Sequence, residues 1–214
     1  MTSTRHNDLA PASPGIAPDD RYLDAAREAI LAVGWSRTTL TDIARRAGVS
    51  RMTLYRRWPD TKTILADLMT REWSRVVDEA VSSLDPAADP LRRITDGVVA
   101  TVRGLRADGL LRRIIDVDPE VLLPYLLERR GRSQDLLAAA LAGLIRKGQR
   151  HGSIRDGDAD VVARSLLLAC HGFALSAQTM SDPTMADGSP QARDADVSEF
   201  DRELAHLVER FLQP

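Results

Sequence analysis

The stretch TTLTDIARRAGVSRMTLYRRWPDTK, residues 38–62, decides the fold of this chain. It predicts two short helices joined by a tight turn at Gly48, where a left-handed backbone favours a residue without a β-carbon. The first helix covers residues 41–47, and the second ends near Trp58 because Pro59 cannot continue a helix without losing a hydrogen bond. Hydroxyl residues stand where the helices need caps, with Thr39 or Thr41 for the first and Ser50 for the second.

The second of these helices has an apolar side and a basic side. When Leu54 is taken as the inward direction, a turn of about 100° per residue places Met52 and Arg56 almost opposite to it. Arginine can bind guanine through two hydrogen bonds, and methyl-bearing side chains can contact the methyl group of thymine. We therefore interpret this helix as one that enters a major groove, in preference to a solvated basic helix on an ordinary bundle. Its outer face comprises Arg51, Met52, Thr53, Tyr55, Arg56 and Arg57.

Positive charge is concentrated around the same stretch. The whole chain carries a net charge of −2, but seven basic residues stand against two acidic ones between Trp35 and Lys62. A local basic patch on a mildly acidic protein indicates one confined anionic partner. The single cysteine, Cys170, excludes an intramolecular disulfide and fits a reducing compartment. With no apolar run of membrane-spanning length and no secretory signal, we expect a cytoplasmic protein without a membrane partner.

Helical periodicity extends over most of the remaining chain, and no strand or internal repeat is evident. The composition agrees, because Ala, Leu and Arg are abundant and β-branched runs are scarce. We therefore predict an all-α fold of about nine helices. Residues 1–18 are interpreted as a disordered arm and residues 181–196 as a mobile loop. The other predicted helices cover residues 19–33, 61–84, 90–107, 109–130 with a bend near Asp118, 133–151, 158–180 and 197–212.

The residues that could support catalysis are poorly placed for it. Cys170 and His171 are adjacent on a predicted helix, so their side chains diverge by about 100° and cannot readily form a dyad. The four histidines lack metal-ligand spacing, and no glycine-rich phosphate loop precedes a helix. We interpret Asp116, Asp118 and Glu120 as a solvated helix junction. The sequence therefore predicts no catalytic residue, no metal site and no cofactor, and it disfavours an enzyme.

Residues 20–66 resemble the N-terminal DNA-binding domain of the TetR family of bacterial transcriptional regulators. The resemblance is carried by RYLDAAREAILAVGW at 21–35, by TTLTDIARRAGVS at 38–50 and by the T-L-Y of the following helix. It implies a three-helix helix-turn-helix domain over residues 19–60, joined to a helical ligand-binding and dimerisation domain over residues 61–214.

The resemblance also implies how the protein acts. A homodimer places two recognition helices in successive major grooves, about 34 Å apart, on a pseudo-palindromic operator. A small-molecule effector in the C-terminal domain then shifts the helix that begins after Pro59 and releases a repressor from DNA. A ligand-independent helical DNA-binding or architectural protein is the alternative. The implied DNA contacts are Thr39, Thr41, Arg51, Met52, Thr53, Tyr55, Arg56 and Arg57, with either Thr61 or Lys62 binding phosphate at the start of that helix.

The C-terminal part offers candidates for a ligand site and for a dimer interface. Trp73 and His171 lie on apolar helices, and each can line a cavity for an unidentified effector or belong to the core. The mostly aliphatic composition favours an apolar ligand. Small residues at helical spacing and an apolar seam in the last helix suit a four-helix dimer interface, although an internal seam fits as well. The residues assigned to the interface are Ser165, Ala169, Gly172, Phe173, Ser176, Phe200, Leu204, Leu207 and Phe211.

Overall fold

The computed structural model describes residues 18–180 and 190–214, and these residues form eleven α-helices, one short 3₁₀ helix and no strand. The predicted all-α fold is therefore confirmed. The N-terminal helices are α1 (Pro18–Val33), α2 (Leu40–Arg46), α3 (Arg51–Arg57) and α4 (Thr61–Ser82). The following helices are α5 (Pro90–Ala107), α6 (Gly109–Val117), α7 (Leu123–Leu127), α8 (Arg132–Arg150), α9 (Ala159–Leu175), α10 (Ala177–Met180) and α11 (Pro190–Leu212), with the 3₁₀ helix at Pro119–Val121.

Residues 109–130, predicted to bend near Asp118, and residues 158–180, predicted to form one helix, are both interrupted. Residues 109–130 form α6, the 3₁₀ helix and α7, because Asp118 leaves the helical conformation (φ −138°, ψ 50°) ahead of Pro119. Residues 158–180 are divided at Ser176, which ends α9 with a φ of −115° and is followed by the four-residue α10. Both interruptions lie at residue types whose side chains readily bond the backbone outside a helix.

The last helix, α11, begins at Pro190, earlier than the predicted start at residue 197. The mobile-loop prediction is therefore wrong for residues 190–196, whose backbone is helical. Proline suits the first helical position because its φ is preset and its missing N–H has no partner there. The rest of the predicted loop, residues 181–189, and the predicted arm up to residue 17 lie outside the described residues.

The N-terminal core is built by α1 to α4 and is completed by α6. Ile43, Leu54 and Trp58 are fully buried in it. Leu110 and Ile114 of α6 pack into the same cluster. Because α6 belongs to the C-terminal part of the sequence, this core physically joins the two predicted domains.

The C-terminal core lies among α5, α8, α9 and α11. Ile145 and Leu204 are fully buried in it. A buried ion pair between Arg106 of α5 and Asp201 of α11 fastens the last helix to the bundle, and Arg103 contacts Asp201 at 3.1 Å. Within residues 18–180 and 190–214, no helix combines the length and the apolar character that a membrane crossing requires.

Candidate DNA-binding face and adjoining cavity

Side-chain caps fix the starts of α2, α3 and α4. The capping residues are Thr39, Ser50 and Asp60 in turn. Each side-chain oxygen accepts a hydrogen bond from the backbone N–H three residues later, at 3.2, 3.2 and 2.8 Å respectively. The cap of α2 is thus Thr39, whereas Thr41 lies exposed in the first turn of that helix. These caps satisfy backbone donors that would otherwise be left unpaired at the helix starts.

The turn between α2 and α3 is held against α1. Gly48 has a φ of +64°, a conformation that disfavours any residue with a β-carbon. The guanidinium of Arg21 donates a hydrogen bond to the carbonyl of Ala47. Its Nη2 atom would lie 3.4 Å from a β-carbon added at Gly48. The glycine therefore serves the backbone conformation and leaves room for an arginine that ties the turn to the first helix.

Buried contacts on its inner side set the orientation of α3. Trp58, directly after the helix, is buried, and its indole N–H donates to the Asp67 carboxylate of α4 at 2.8 Å. The Tyr22 ring of α1 meets the Trp58 ring edge-on, with centroids 5.9 Å apart and an interplanar angle of 86°. Leu54, one turn earlier, is fully buried. The inner side of α3 is therefore fixed by its neighbours, and the outer side is left to bind a partner.

The outer side of α3 carries the residues predicted to contact DNA. Met52 is 63% exposed, and Thr53 is exposed beside it. Arg56 is exposed and has no hydrogen-bond or ion-pair partner among the described residues. Arg51 donates to the Tyr55 hydroxyl at 2.8 Å, with its guanidinium carbon 4.8 Å from the ring centroid. The structure thus brings this face together, with an unpaired arginine and a methionine at its centre.

Arg57, the last predicted contact of α3, already has an anionic partner inside the protein. Its Nη2 atom lies 3.0 Å from Asp19 Oδ2, and its guanidinium carbon lies 5.2 Å from the centre of the Trp58 ring. The Arg57 side chain remains 56% exposed, so a phosphate can reach it in competition with Asp19. Sequence reasoning missed this pair because the two residues are 38 positions apart and no local spacing connects them.

The start of α4 carries one cation and one carboxylate. Lys62 is exposed and has no ion-pair partner in the part of the chain that the structure describes, whereas Thr61 is half-buried. Asp60 accepts hydrogen bonds from the backbone N–H and the hydroxyl of Thr63, at 2.8 and 2.9 Å. These bonds hold the pKa of Asp60 below its ordinary value, so the carboxylate is ionised at neutral pH. A phosphate approaching this turn therefore meets Lys62 beside a fixed negative charge.

Asp118, which was expected in a solvated helix junction, is buried and connects the end of α6 to the end of α1. Its carboxylate accepts hydrogen bonds from the backbone N–H groups of Trp35 and Ser36, at 2.8 and 3.3 Å, just after α1. Burial acts to raise the pKa of Asp118, but hydrogen bonding from Ser36 and Trp35 and the charge of Arg37 together lower it. The solvated interpretation is wrong for this residue because its partners lie 82 and 83 positions away, beyond any local pattern.

A cavity lies between α4, α5, α8 and α9. It is made up of two neighbouring pockets, one of about 230 Å³, here called the outer lobe, and one of about 80 Å³ beside the N-terminal core, here called the inner lobe. The lobes share His171, Thr101 and Leu137 among their lining residues, and their walls are mostly aliphatic. Trp73 lines the inner lobe. The structure thus places both residues considered for a ligand site, Trp73 and His171, at the cavity.

His171 lines the cavity and also forms a hydrogen bond within the protein. Its Nε2 atom lies 3.2 Å from Gln134 Nε2. Gln134 Oε1 accepts a hydrogen bond from the Gly131 N–H at 2.7 Å, which turns the amide NH₂ toward the imidazole, so that His171 Nε2 accepts. Burial lowers the pKa of His171, which keeps the ring neutral at neutral pH. Burial also raises the pKa of the adjacent Cys170 to about 12, so its thiol stays protonated and unreactive.

The residues assigned to a dimer interface fall into two groups. Leu204 is fully buried in the core of its own subunit, which leaves it no surface for a partner, and Phe173 packs half-buried against the same core. The assignment of Leu204 is therefore wrong, because a hydrophobic pattern does not distinguish an inner face from an outer one. Val161 and Leu168, which were not assigned to the interface, are 48% and 71% exposed. Ala169, Gly172, Ser176, Leu207 and Phe211 are exposed, and Ser165 and Phe200 are half-buried.

Known proteins share this geometry and sequence. The profile described as "Bacterial regulatory proteins, tetR family" matches residues 23–68. The uncharacterized HTH-type transcriptional regulator Rv2250c of Mycobacterium tuberculosis is 40% identical over 157 residues, covering 73% of this chain and 80% of that protein. A transcriptional regulator from Saccharomonospora viridis, solved in complex with choline, is 26% identical, with a TM-score of 0.59 over 92% of this chain and 97% of its own. The transcriptional repressor QsdR of R. erythropolis is 19% identical, with a TM-score of 0.63 over 91% and 94%.

An exposed basic helix, held across a capped partner helix, defines a helix-turn-helix regulator that binds DNA. The chain belongs to the TetR family of bacterial transcriptional regulators, as the family match and the 40% identity to the mycobacterial protein show. Regulators of this family bind operator DNA, typically as dimers that respond to small molecules. The relatives are regulators of transcription.

Proposed function

We propose that this protein is a cytoplasmic transcriptional repressor that binds a pseudo-palindromic operator as a homodimer and is released by a small-molecule effector. The observation that carries the DNA-binding part is the exposed pair Met52 and Arg56, opposite the buried Leu54. In this role the protein catalyses no reaction and needs no cofactor. The proposed DNA contacts are Thr39, Thr41, Arg51, Met52, Thr53, Tyr55, Arg56 and Arg57, with the exposed Lys62 in preference to the half-buried Thr61.

Selection of bound sequences from random DNA tests the groove assignment. We expect an enriched palindrome, because two related recognition helices read two related half-sites. Arg56→Gln should weaken binding to the selected site about 5- to 150-fold and relax the preference at one position of each half-site. Arg92→Gln, which removes an equally exposed charge from α5, should stay within roughly twofold of the original protein. A pool without a palindrome would indicate the ligand-independent architectural alternative.

The homodimer is proposed to form through α9 and α11. Leu168 of α9 is 71% exposed and Leu207 of α11 is 54% exposed, so each of the two helices carries a leucine that a partner could cover. Ala169 and Gly172 are exposed beside Leu168 and permit close helix approach. Leu207→Glu should yield a monomer in sedimentation. The matched variant Leu136→Glu, on a leucine of α8 that is also 54% exposed, should remain a dimer. A dimeric Leu207→Glu protein would exclude this face.

Two connections can carry a change at the cavity to the DNA-binding face. The first is α4, which runs from the N-terminal core, where Leu68 is buried, to the cavity wall at Trp73. The second is the segment after α5, in which Leu111 and Leu122 line the inner lobe and Asp118, between them, holds the amides after α1. A molecule in the cavity would therefore contact both elements that position the helix-turn-helix.

A substitution that fills the cavity can test the proposed release of operator DNA before the effector is identified. Ala174 lines both lobes, so the larger ring in Ala174→Phe should occupy the space proposed for the effector. Operator affinity should then fall by about tenfold or more. Ala139→Phe, on the exposed side of α8, should bind operator like the original protein. Thermal unfolding of both variants first establishes that each is folded. Undiminished operator binding by a folded Ala174→Phe protein would contradict effector-driven release.

A further inference from the structure

The outer lobe of the cavity carries two cations. Arg93 in the first turn of α5 and Lys147 in the last turn of α8 line it, and none of the described lining residues of either lobe is acidic. Arg93 has no ion-pair partner within residues 18–180 and 190–214, and its Nε atom is buried without a hydrogen-bond partner there. A buried guanidinium nitrogen without a partner is unfavourable, and an anionic group beside it would remove that penalty.

The inner lobe presents a hydrogen-bond donor instead. The indole Nε1 of Trp73 is buried and has no partner in the described parts of the chain. The nearby Gln134 and His171 do not supply one, because they are bonded to each other and the remaining amide atoms bond to the backbone. Buried donors are nearly always paired in folded proteins, so this indole lacks an oxygen that a ligand could provide.

The two polar ends are separated by most of α8. Gln134 lines the inner lobe and Lys147 the outer lobe, and thirteen residues of helix rise correspond to about 20 Å. Between these ends the walls are aliphatic, with Val98, Leu137 and Leu141 among the lining residues. Two neighbouring apolar lobes with a polar group at each end fit an extended ligand better than a compact one.

We propose that the effector is an elongated anionic amphiphile. Its anionic group lies between Arg93 and Lys147, its chain follows the aliphatic walls, and an oxygen at its far end accepts a hydrogen bond from Trp73. The inference rests on the proposed release of DNA by a ligand in this cavity. It replaces the expectation of a purely apolar ligand, which the aliphatic composition suggested but which leaves both buried donors unpaired.

Three ten-carbon probes with different head groups test whether the cavity prefers an anionic ligand. They are decanoate, 1-decanol and decyltrimethylammonium, each used below its micelle-forming concentration. In calorimetry with the full-length protein, decanoate should bind about tenfold tighter than the alcohol, and the cation should not bind. Arg93→Gln should weaken decanoate binding by about tenfold and leave decanol binding unchanged. Arg92→Gln, one position away and outside the cavity lining, should change neither. Equal affinities for the three probes, or an unaffected Arg93→Gln protein, would overturn the proposal.

A pair of twelve-carbon acids tests the proposed hydrogen bond between Trp73 and the far end of the ligand. 12-Hydroxydodecanoate should bind the original protein several-fold tighter than dodecanoate, because its hydroxyl can accept the indole hydrogen bond. Trp73→Phe removes that donor and keeps an aromatic ring, so it should abolish the preference without weakening dodecanoate. Equal binding of the two acids by the original protein, or a preference that persists in Trp73→Phe, would overturn the role assigned to Trp73.

Operator binding separates this inference from the proposed function. Decanoate that binds through Arg93 but leaves the operator complex intact supports the ligand class and contradicts effector release. Decanoate that fails to bind, while Ala174→Phe weakens the operator complex, overturns the anionic ligand and leaves the proposed function standing.

Discussion

The helix-turn-helix and the cavity differ in how their buried polar groups are satisfied. Around the N-terminal core the indole N–H of Trp58 is bonded to Asp67, and the starts of α2, α3 and α4 are capped. Around the cavity, Trp73 Nε1 and Arg93 Nε are buried without partners among the described residues. An unsatisfied buried group costs about 1–3 kcal/mol. The buried donors of the helix-turn-helix are therefore satisfied, whereas the lining of the cavity keeps bonding capacity that another molecule can use.

Leucine truncation should give the largest contrast between the two regions. Leu54 is fully buried in the N-terminal core, so Leu54→Ala should lower the free energy of unfolding by about 2–5 kcal/mol. Leu141 is half-buried and lines the cavity, where part of its surface already faces empty space. Leu141→Ala should therefore cost about 1 kcal/mol or less. Urea unfolding at one fixed protein concentration measures the free energy of unfolding of both variants. Equal losses would mean that the cavity wall is as tightly packed as the N-terminal core.

Replacing each tryptophan by phenylalanine should change stability in opposite directions. Trp58→Phe loses the bond to Asp67, so the free energy of unfolding should fall by about 1–2 kcal/mol. Trp73→Phe removes a buried N–H that has no partner among the described residues, so stability should stay unchanged or rise by up to about 1 kcal/mol. Thermal melting in the absence of ligand compares the pair. A Trp73→Phe protein destabilised as much as Trp58→Phe would show that the cavity indole is satisfied after all.

Lowering the pH should reduce the contributions of the two regions to the stability of the protein in different pH ranges. Burial lowers the pKa of His171 from its ordinary 6.5, so the unfolded chain takes up the proton first. The stability that neutral His171 provides is complete above pH 6.5 and falls as the pH drops toward the lowered value. Hydrogen bonds from Arg46 and Thr63 lower the pKa of Asp42 and Asp60, respectively, from 3.8. Their contribution is present above pH 3.8 and is lost only below it.

A pH series of unfolding measurements, with His171→Gln as the matched variant, checks this order. The variant should flatten the pH dependence between about pH 7 and 5 and leave the loss at lower pH unchanged. This is the smallest of the expected effects, because the imidazole is only partly buried. An unchanged slope in that range would mean that protonation of His171 does not differ between the folded and the unfolded protein.

The helix-turn-helix could be predicted from the sequence because its determinants are local. A turn glycine, hydroxyl and carboxyl caps and an inward leucine lie within residues 38–62, and the helical period alone placed Met52 and Arg56 outward. The fold class followed from the same periodicity. Helix ends were less accurate where one side chain interrupts a helix, as at Ser176, or where proline begins one, as at Pro190.

The features that escaped prediction depend on contacts between distant residues. Asp118 looked like a surface carboxylate, and only the folded chain brings it to the amides after α1. No spacing in the sequence relates Arg93 to Lys147, and only the folded bundle places both at one lobe of the cavity. Leu204 and Leu207 belong to one seam in the sequence, but the packing of α11 buries the first and exposes the second. Such outcomes depend on tertiary packing, which cannot be inferred from the spacing of residues in the sequence.

Arg57 carries its own counterion in the form of Asp19. An arginine that neutralises a DNA phosphate normally releases condensed salt ions, about 0.9 per contact. In the proposed complex Arg57 exchanges Asp19 for a phosphate, so the ion pair that it gives up offsets part of the attraction that it gains. Arg57 therefore adds little to the long-range attraction for bulk DNA and acts only once the helix is docked. An internal anion thus shields one residue of the proposed DNA-binding face at long range, so that its contribution is expected mainly in the fully seated complex.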